Sequence, residues 1–427
     1  MDYQIAKGVF DILPKDPDEE GKWRDSHLWQ YVEWVIRGVA FEYGFREIRT
    51  PLFEKTELFQ RSIGNTSDIV SKEMYTFQDK GGRSLTLRPE GTAPVMRAFI
   101  EKRLDQQFPV QKLFYIMPMF RYERQQAGRY RQHHQFGVEA IGNDSPYQDV
   151  EGIDLLYTFL NRLGLKGMTL HLNSIGDQEA RNRYRSALKE FLSPLLSQLS
   201  EDSQERFTTN PLRILDSKDE RDQKALSGAP SILDFLNDDC KEHFSTVCSL
   251  LKKMGIEYNI NPRLVRGLDY YNKTVFEITA NELGAQNSLG GGGRYDGLIK
   301  QLGGPDLPAF GFGSGLERVI QTLLAQKAPL PPVPSTLLFM IPMGDQSKER
   351  CFELMTQLRR VHIPVEMEYS DRKLKSSLRY ADAIGARYIC VLGENELASG
   401  IVELKEMRTG ATEKVPLQDL QKRLQHG

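Results

Sequence analysis

The sequence contains no CxxC pair, and its four cysteines (Cys240, Cys248, Cys351, Cys390) are scattered. That spacing argues against a zinc site and against a disulfide framework, so isolated reduced thiols are expected. No run of about 18 apolar residues is present, which argues against a membrane span. The opening MDYQIAKGVFDILPKD has an early acid and no apolar core flanked by basic residues, unlike a signal peptide. A cytoplasmic protein is the default expectation. The net charge is only −2, so a polyanion would have to be held by local basic surface. Familiar nucleotide loops are missing too. The glycines at 311, 313 and 315 open a helix but lack the GxGxxG spacing, and a proline-containing loop precedes them. Neither they nor GGGGRYDG (Gly290–Gly297) are followed by the Lys-Ser/Thr pair of a P-loop. ATP, if it binds, must lie on a sheet face.

What is present fits a chain of two or three domains: 427 residues, 40% apolar and 27% charged, ordinary for a globular protein. The most informative stretch is FRYERQQAGRYRQHHQFGVEAIG (Phe120–Gly142). Arg121, Arg124, Arg129 and Arg131 surround a Gln-Gln-Ala-Gly turn. Beyond it His133, Gln135 and Glu139 fall on one side of an extended chain, and His134, Phe136, Val138 and Ala140 on the other. Before it Phe120 and Tyr122 alternate with Arg121 and Glu123. Period-two alternation on both sides of a turn predicts a long hairpin. Guanidinium forks match phosphate oxygens, so one face could be a bed for a polar anionic ligand. A solvated arginine-rich loop is the other reading.

Residues 26–43 keep apolar positions at helical spacing up to Gly44, and Phe45–Thr50 reads as a strand ending at Pro51. Ser84–Glu90 alternates Leu85 and Leu87 against Thr86, Arg88 and Glu90, placing a carboxylate on a polar strand face where an ammonium ligand would suit it. Pro94 could open a helix carrying Met96, Ile100 and Leu104 on one face. From about 173 to 258 the chain is helix-rich and charged, which suggests a helical insertion between two β-rich halves, or else a continuous α/β domain. Thr274–Thr279 is strand-like. Residues 316–324 form an amphipathic helix with Arg318 about 200° from Leu316, off its apolar stripe. APLPPVPS (Ala328–Ser335) is linker-like. Beyond it strands and helices alternate, implying a mostly parallel sheet. In VRGLDYY (Val265–Tyr271), Arg266 and two tyrosines are a weak signal, and on these residues alone a surface arginine beside core aromatics is the better account.

Assembled, these segments resemble class II aminoacyl-tRNA synthetases, specifically the histidyl-tRNA synthetases. The helix and strand ending at Pro51 resemble the first class motif, Phe120–Gly142 the second and GFGSGLER the third. RGLDYYNKTVFE (Arg266–Glu277), GGGGRYDGL (Gly290–Leu298) and TLRPEGT (Thr86–Thr92) resemble the family's own segments. KLKSSLRYADAIGARYICVLGENE (Lys373–Glu396) resembles its anticodon-binding domain.

The resemblance implies an α+β fold. An antiparallel-sheet catalytic domain (1–325) would carry the helical insertion (173–258), followed by a linker (326–335) and an α/β anticodon-binding domain (336–427). It implies activation of L-histidine by ATP with Mg²⁺, transfer to tRNA(His), and a homodimer, with no membrane and no structural metal site. By similarity Glu90, Thr92 and Gln135 would hold the histidine ammonium, and Glu139 and Tyr271, beside Tyr270, its ring. Arg121 and Arg318 would grip ATP phosphates, with Glu123, Arg129 and His133 in the nucleotide site, and Arg266 would sit near the α-phosphate. His133 stands where relatives often carry a phenylalanine against adenine, and Ser314 makes the third motif slightly unusual. A non-catalytic histidine-binding regulatory paralogue is the alternative function.

Overall fold

Alternation on both arms of the predicted hairpin produces the two longest strands in the computed structural model, which describes residues 3–64, 67, 69–123, 129–282, 287–370 and 372–425. Arg124 and the turn 125–128 lie outside the described residues. Contacts divide the chain between Pro331 and Pro332 into two units.

In the first unit the strands are β1 (Arg46–Glu47), β2 (Phe53–Lys55), β3 (Thr76–Gln78), β4 (Ser84–Leu87), β5 (Gln111–Phe120), β6 (Gln132–Ile141), β7 (Thr169–Ser174), β8 (Tyr258–Ile260), β9 (Asn272–Thr279), β10 (Ser288–Arg294) and β11 (Ala309–Gly315). The principal sheet runs β1-β5-β6-β11-β10-β9-β7-β8. It is antiparallel from β5 to β7, and β1 and β8 join its edges in parallel. A small antiparallel sheet, β2-β4-β3, stands apart.

Helices α1 (Ser26–Glu42), α2 (Thr56–Ile63), α3 (Thr92–Glu101), α4 (Pro146–Arg162), α5 (Gln178–Leu192), α6 (Glu201–Thr209), α7 (Glu220–Ala225), α8 (Asp238–Lys253), α9 (Leu298–Gln301) and α10 (Leu316–Ala325) complete this unit. One face of the sheet is apolar. Phe136, Val138, Phe276, Phe310 and Phe312 pack there against Val32 and Ile36 of α1, Ile153 and Phe159 of α4, Val247 of α8 and Val319 of α10. The other face carries Leu113, Tyr115, Met117 and Val275, which join α3 and α5 in a second core. Helix starts follow local chemistry: Ser145 accepts from Tyr147 N ahead of Pro146, and Asp177 and Asn237 cap α5 and α8.

Three expectations change. β5 stops at Phe120, so Arg121 and Glu123 leave the ladder; Arg121 N donates to Arg131 O and Tyr122 N to Glu73 O. Tyr122 is exposed, with the Arg131 guanidinium 4.0 Å from its ring centroid. β4 ends at Leu87, and Glu90 sits in the turn that starts α3. The glycine-dense stretches, for which the sequence predicts no element, are central strands, β10 and β11. Glycine is a poor strand former, but here neighbouring side chains need its empty space.

The second unit has the sheet order β13 (Val365–Met367), β12 (Leu338–Pro342), β14 (Tyr388–Leu392), β15 (Ile401–Glu406), β16 (Thr412–Pro416). Helices α11 (Asp345–Arg360) and α12 (Leu374–Ala383) alternate with its first three strands, which are parallel. The sheet is mixed rather than mostly parallel, because β15 and β16 return as an antiparallel hairpin.

Candidate active site

β6 presents Gln135 and Glu139 on the face opposite the apolar core, and β11 is paired beside it, Glu139 against Gly311 and Gly137 against Gly313. A Cβ on Gly311 would overlap Glu139 Oε2, and one on Gly313 would overlap Gln135 Nε2. The glycines of β11 thus leave a trough in which two long polar side chains lie across the sheet. Tyr115 of β5 lies beside Glu139, its hydroxyl 3.5 Å from Glu139 Oε1.

Two cavities open onto this trough. One, of about 150 Å³, is lined by Glu90, Thr92, Tyr115, Tyr270 and Tyr271. The other, of about 210 Å³, is lined by Glu123, Arg129, His133, Ser288 and Arg318. Arg121, Gln135, Arg266, Gly291 and Gly313 line both. Two guanidinium groups and one amide therefore stand where a ligand in one cavity would meet a ligand in the other.

Each side chain is held by named partners. Arg121 Nε donates to Pro89 O at 2.8 Å, and Arg129 Nε lies 3.3 Å from Glu123 Oε2. Arg318 Nη1 donates to Ser288 O at 3.3 Å. Arg266 Nη1 donates to Glu277 Oε1 at 3.0 Å, and Ser288 Oγ donates to the same oxygen at 2.7 Å. Despite burial, the Arg266 charge and these bonds hold the Glu277 carboxyl below its usual range. Glu90 accepts from Thr92 N and Ala93 N at 2.7 and 2.8 Å, so it caps α3 while it lines the smaller cavity. Burial raises its pKa. Gln135 Oε1 is buried without a hydrogen-bond partner among the described residues, an acceptor available to a ligand.

Glu139 is buried and does not line either cavity. Its carboxylate accepts from Thr92 Oγ1 at 2.8 Å and from Tyr295 OH. Burial, reinforced by the neighbouring Glu90 charge, raises its pKa to about 8. His133 is pushed the other way, well below the ordinary imidazole range, by burial and by the charges of Arg121 and Arg318. A neutral ring is the form that stacks on a purine without charge. Burial lifts Tyr271 to about 12, keeping its hydroxyl protonated.

Several site residues have no role that the sequence assigns, although Glu277, Arg294, Tyr295 and Glu317 lie within the family-like segments. Tyr115 and Tyr295 surround Glu139, and only their position on the polar face and after the glycine strand hints at it. Glu277 and Ser288 fix Arg266 from two different strands, a relation invisible before β9 and β10 are paired. Glu317 accepts from His134 N at 2.7 Å and from its ring, locking β6 to α10. Arg294, fully buried, donates to Asp149 Oδ1, to Asn143 O and to Ser145 O, and so anchors the end of β10 beside Tyr295.

Comparison with known proteins agrees with this geometry. The histidyl-tRNA synthetase family model matches residues 24–319, and an anticodon binding domain matches residues 338–426. The chain is 60% identical to a histidine–tRNA ligase of Protochlamydia amoebophila, over 98% of this chain and 99% of that one. It is 52% identical to the histidine–tRNA ligase of Chlamydia abortus, covering 95% and 94%. Among solved structures it resembles apo histidyl-tRNA synthetase of S. aureus, with a TM-score of 0.82 and 37% identity over 99% of both chains.

Proposed function

The chain belongs to the histidyl-tRNA synthetase family, and from that premise we propose that its paired cavities seat histidine and ATP against one another. It activates L-histidine with ATP to histidyl-adenylate and pyrophosphate, then transfers histidine to the 3′ end of tRNA(His). The regulatory alternative is not favoured by relatives that are histidine–tRNA ligases over nearly the whole chain.

The observation that carries the residue assignment is the shared wall of Arg121, Gln135 and Arg266. Histidine takes the smaller cavity, its ammonium offset by Glu90 and accepted by Gln135 Oε1, with Thr92 alongside. Its ring lies toward Tyr270 and Tyr271, with Glu139 behind Thr92. A site built to hydrogen-bond a ring N–H rejects apolar amino acids, because its own polar groups would be left unpaired. ATP takes the larger cavity, its adenine near neutral His133 and its outer phosphates near Arg129 and Arg318.

The histidine carboxylate then attacks the α-phosphorus and pyrophosphate leaves. No proton needs to move, so positioning and charge stabilisation dominate. Arg266, pre-aimed by Glu277, sits where charge builds. Mg²⁺ brought with ATP would be held at Glu123, whose buried Oε2 is ion-paired with Arg129 Nε at 3.3 Å but makes no hydrogen bond among the described residues. It would neutralise charge on the outer phosphate oxygens.

The test is amino-acid-dependent ATP–pyrophosphate exchange across all twenty amino acids, with and without EDTA. Exchange should require histidine and Mg²⁺. Arg266→Ala should lower it by about 10²–10³ with the fold intact by circular dichroism. Exchange within a few-fold of wild type would remove Arg266 from this role.

We also assign a homodimer and a cytoplasmic location. The first is supported by exposed Trp34 and Phe41 on α1, an apolar face of the kind an interface covers. The second is supported by four cysteines that are all free thiols. Sedimentation velocity and cell fractionation check them.

A further inference from the structure

Behind the segment 266–271 lies a separate cavity of about 300 Å³, which shares Arg266, Leu268 and Tyr271 with the histidine cavity. That segment is therefore a partition with a cavity on each side. The far cavity is lined by Arg181, Arg185, Arg213 and Arg266, with Asp269 the one carboxylate among the described residues that line it. Arg181 and Arg185 stand one turn apart on α5, and burial, then the Arg185 charge, holds the Arg181 pKa below its usual range. Three polar atoms here are buried without a hydrogen-bond partner among the described residues: Arg181 Nε, Arg185 Nε and Asn210 Oδ1. Buried polar atoms are nearly always satisfied, so three orphans on residues that line one cavity point to a missing ligand.

Their chemistry specifies it. Two guanidinium N–H donors call for phosphate oxygens. The orphan acceptor calls for a hydroxyl: the bond from Asn210 Nδ2 to Asp269 Oδ1 at 2.9 Å fixes which way the amide faces and leaves its own Oδ1 to accept. We propose that this cavity binds a ribose phosphate, its phosphate between Arg181 and Arg185 and a sugar hydroxyl on Asn210. A free sugar phosphate and an RNA phosphodiester with its 2′-hydroxyl share that chemistry.

The site is built to be felt on the other side of the partition. Arg213 Nη1 donates to Gly267 O at 3.0 Å, and Arg181 Nη1 donates to the carbonyls of Asp269 and Tyr271. Arg181, which meets the phosphate, thus also holds the backbone of the segment carrying Arg266 and Tyr271. A bound ribose phosphate shifts the affinity for histidine; this consequence, unlike the binding itself, rests on the histidine assignment above.

The experiment titrates the full chain with ribose 5-phosphate by calorimetry, with the nucleotide cavity filled by a non-hydrolysable ATP analogue. Arg185→Gln and Asn210→Asp are compared with wild type. Both variants should weaken binding at least about tenfold: Arg185→Gln loses a charged hydrogen bond, and Asn210→Asp sets a carboxylate against Asp269 and the incoming phosphate. Pyrophosphate exchange without sugar phosphate should stay within about twofold, since neither residue belongs to the catalytic machinery, and this also reports an intact fold. 2-Deoxyribose 5-phosphate should bind more weakly than ribose 5-phosphate. In a second arm the same variants bind a tRNA(His) transcript: a parallel loss of affinity makes RNA the source, and unchanged affinity makes it a small metabolite. Equal binding of ribose 5-phosphate by wild type and both variants overturns the proposal. So does the absence of saturable binding at millimolar concentration together with unchanged transcript affinity.

Discussion

At the scale of single residues, burial alters the ordinary ionisation of Glu90, His133, Glu139 and Tyr271. Glu139 is the clearest case. Its pKa stands at about 8 in the folded chain against 4.5 for a free carboxyl. Between those values the folded chain keeps a proton that the unfolded chain has released. The folded state then binds more protons than the unfolded one, so unfolding free energy falls as pH rises across that window. Below pH 4.5 both states are protonated and no cost arises; above about 8 the cost is complete. Glu90, raised by the same burial, acts with the same sign. Urea titrations of the ligand-free chain from pH 4.5 to 8 should show midpoints that decline, and Glu139→Gln should flatten that decline without abolishing it. An equal slope in the variant would mean that Glu139 is ionised throughout. A ligand ammonium beside Glu90 relieves the same burial cost, so histidine should stabilise the chain most at the alkaline end of this range.

At the scale of elements, what the sequence made legible was periodic and what it hid was pairwise. Alternation of His133, Gln135 and Glu139 against Phe136, Val138 and Ala140 sorted β6 into its two faces before any partner was known. The helical stripes of α1 and α10 were equally plain, because 3.6-residue periodicity is a local property. The glycine strands were not. Gly311 and Gly313 read only as glycines ahead of a helix until β11 is laid beside β6, when each proves to be the space that a neighbour's side chain occupies. The ring of tyrosines around Glu139 was hidden for the same reason: it depends on register between segments far apart in sequence. This gives the strand its own prediction. Gly313→Ala should cost about 1–3 kcal/mol by overpacking, measured as a lowered denaturant midpoint. It should also raise the KM for histidine about tenfold, because the new methyl displaces the Gln135 amide that meets the ammonium. A variant with wild-type KM would show that Gln135 can move aside without loss, and would remove it from that contact.

At the scale of the whole molecule, the chain consists of two units with separate cores, joined through the proline-rich stretch at Pro331 and Pro332. Every residue assigned to adenylation lies in the first, while the match to an anticodon binding domain lies wholly in the second. Chemistry and the reading of tRNA identity should therefore be separable by cutting the chain. A truncation ending at Pro331 keeps both faces of the eight-stranded sheet covered and retains α1, whose exposed Trp34 and Phe41 form the proposed dimer surface. It should sediment as a dimer and retain histidine-dependent pyrophosphate exchange within a few-fold. Aminoacylation of tRNA(His) should fall by about 10² in kcat/KM, because a second binding module raises the effective concentration of the acceptor end at the first. The added charge of Trp34→Glu in the same truncation should convert it to a monomer and leave its helix content unchanged, since that side chain already faces solvent. Equal charging by the truncated and full chains would mean that the second unit adds nothing to tRNA binding, whatever domain it resembles.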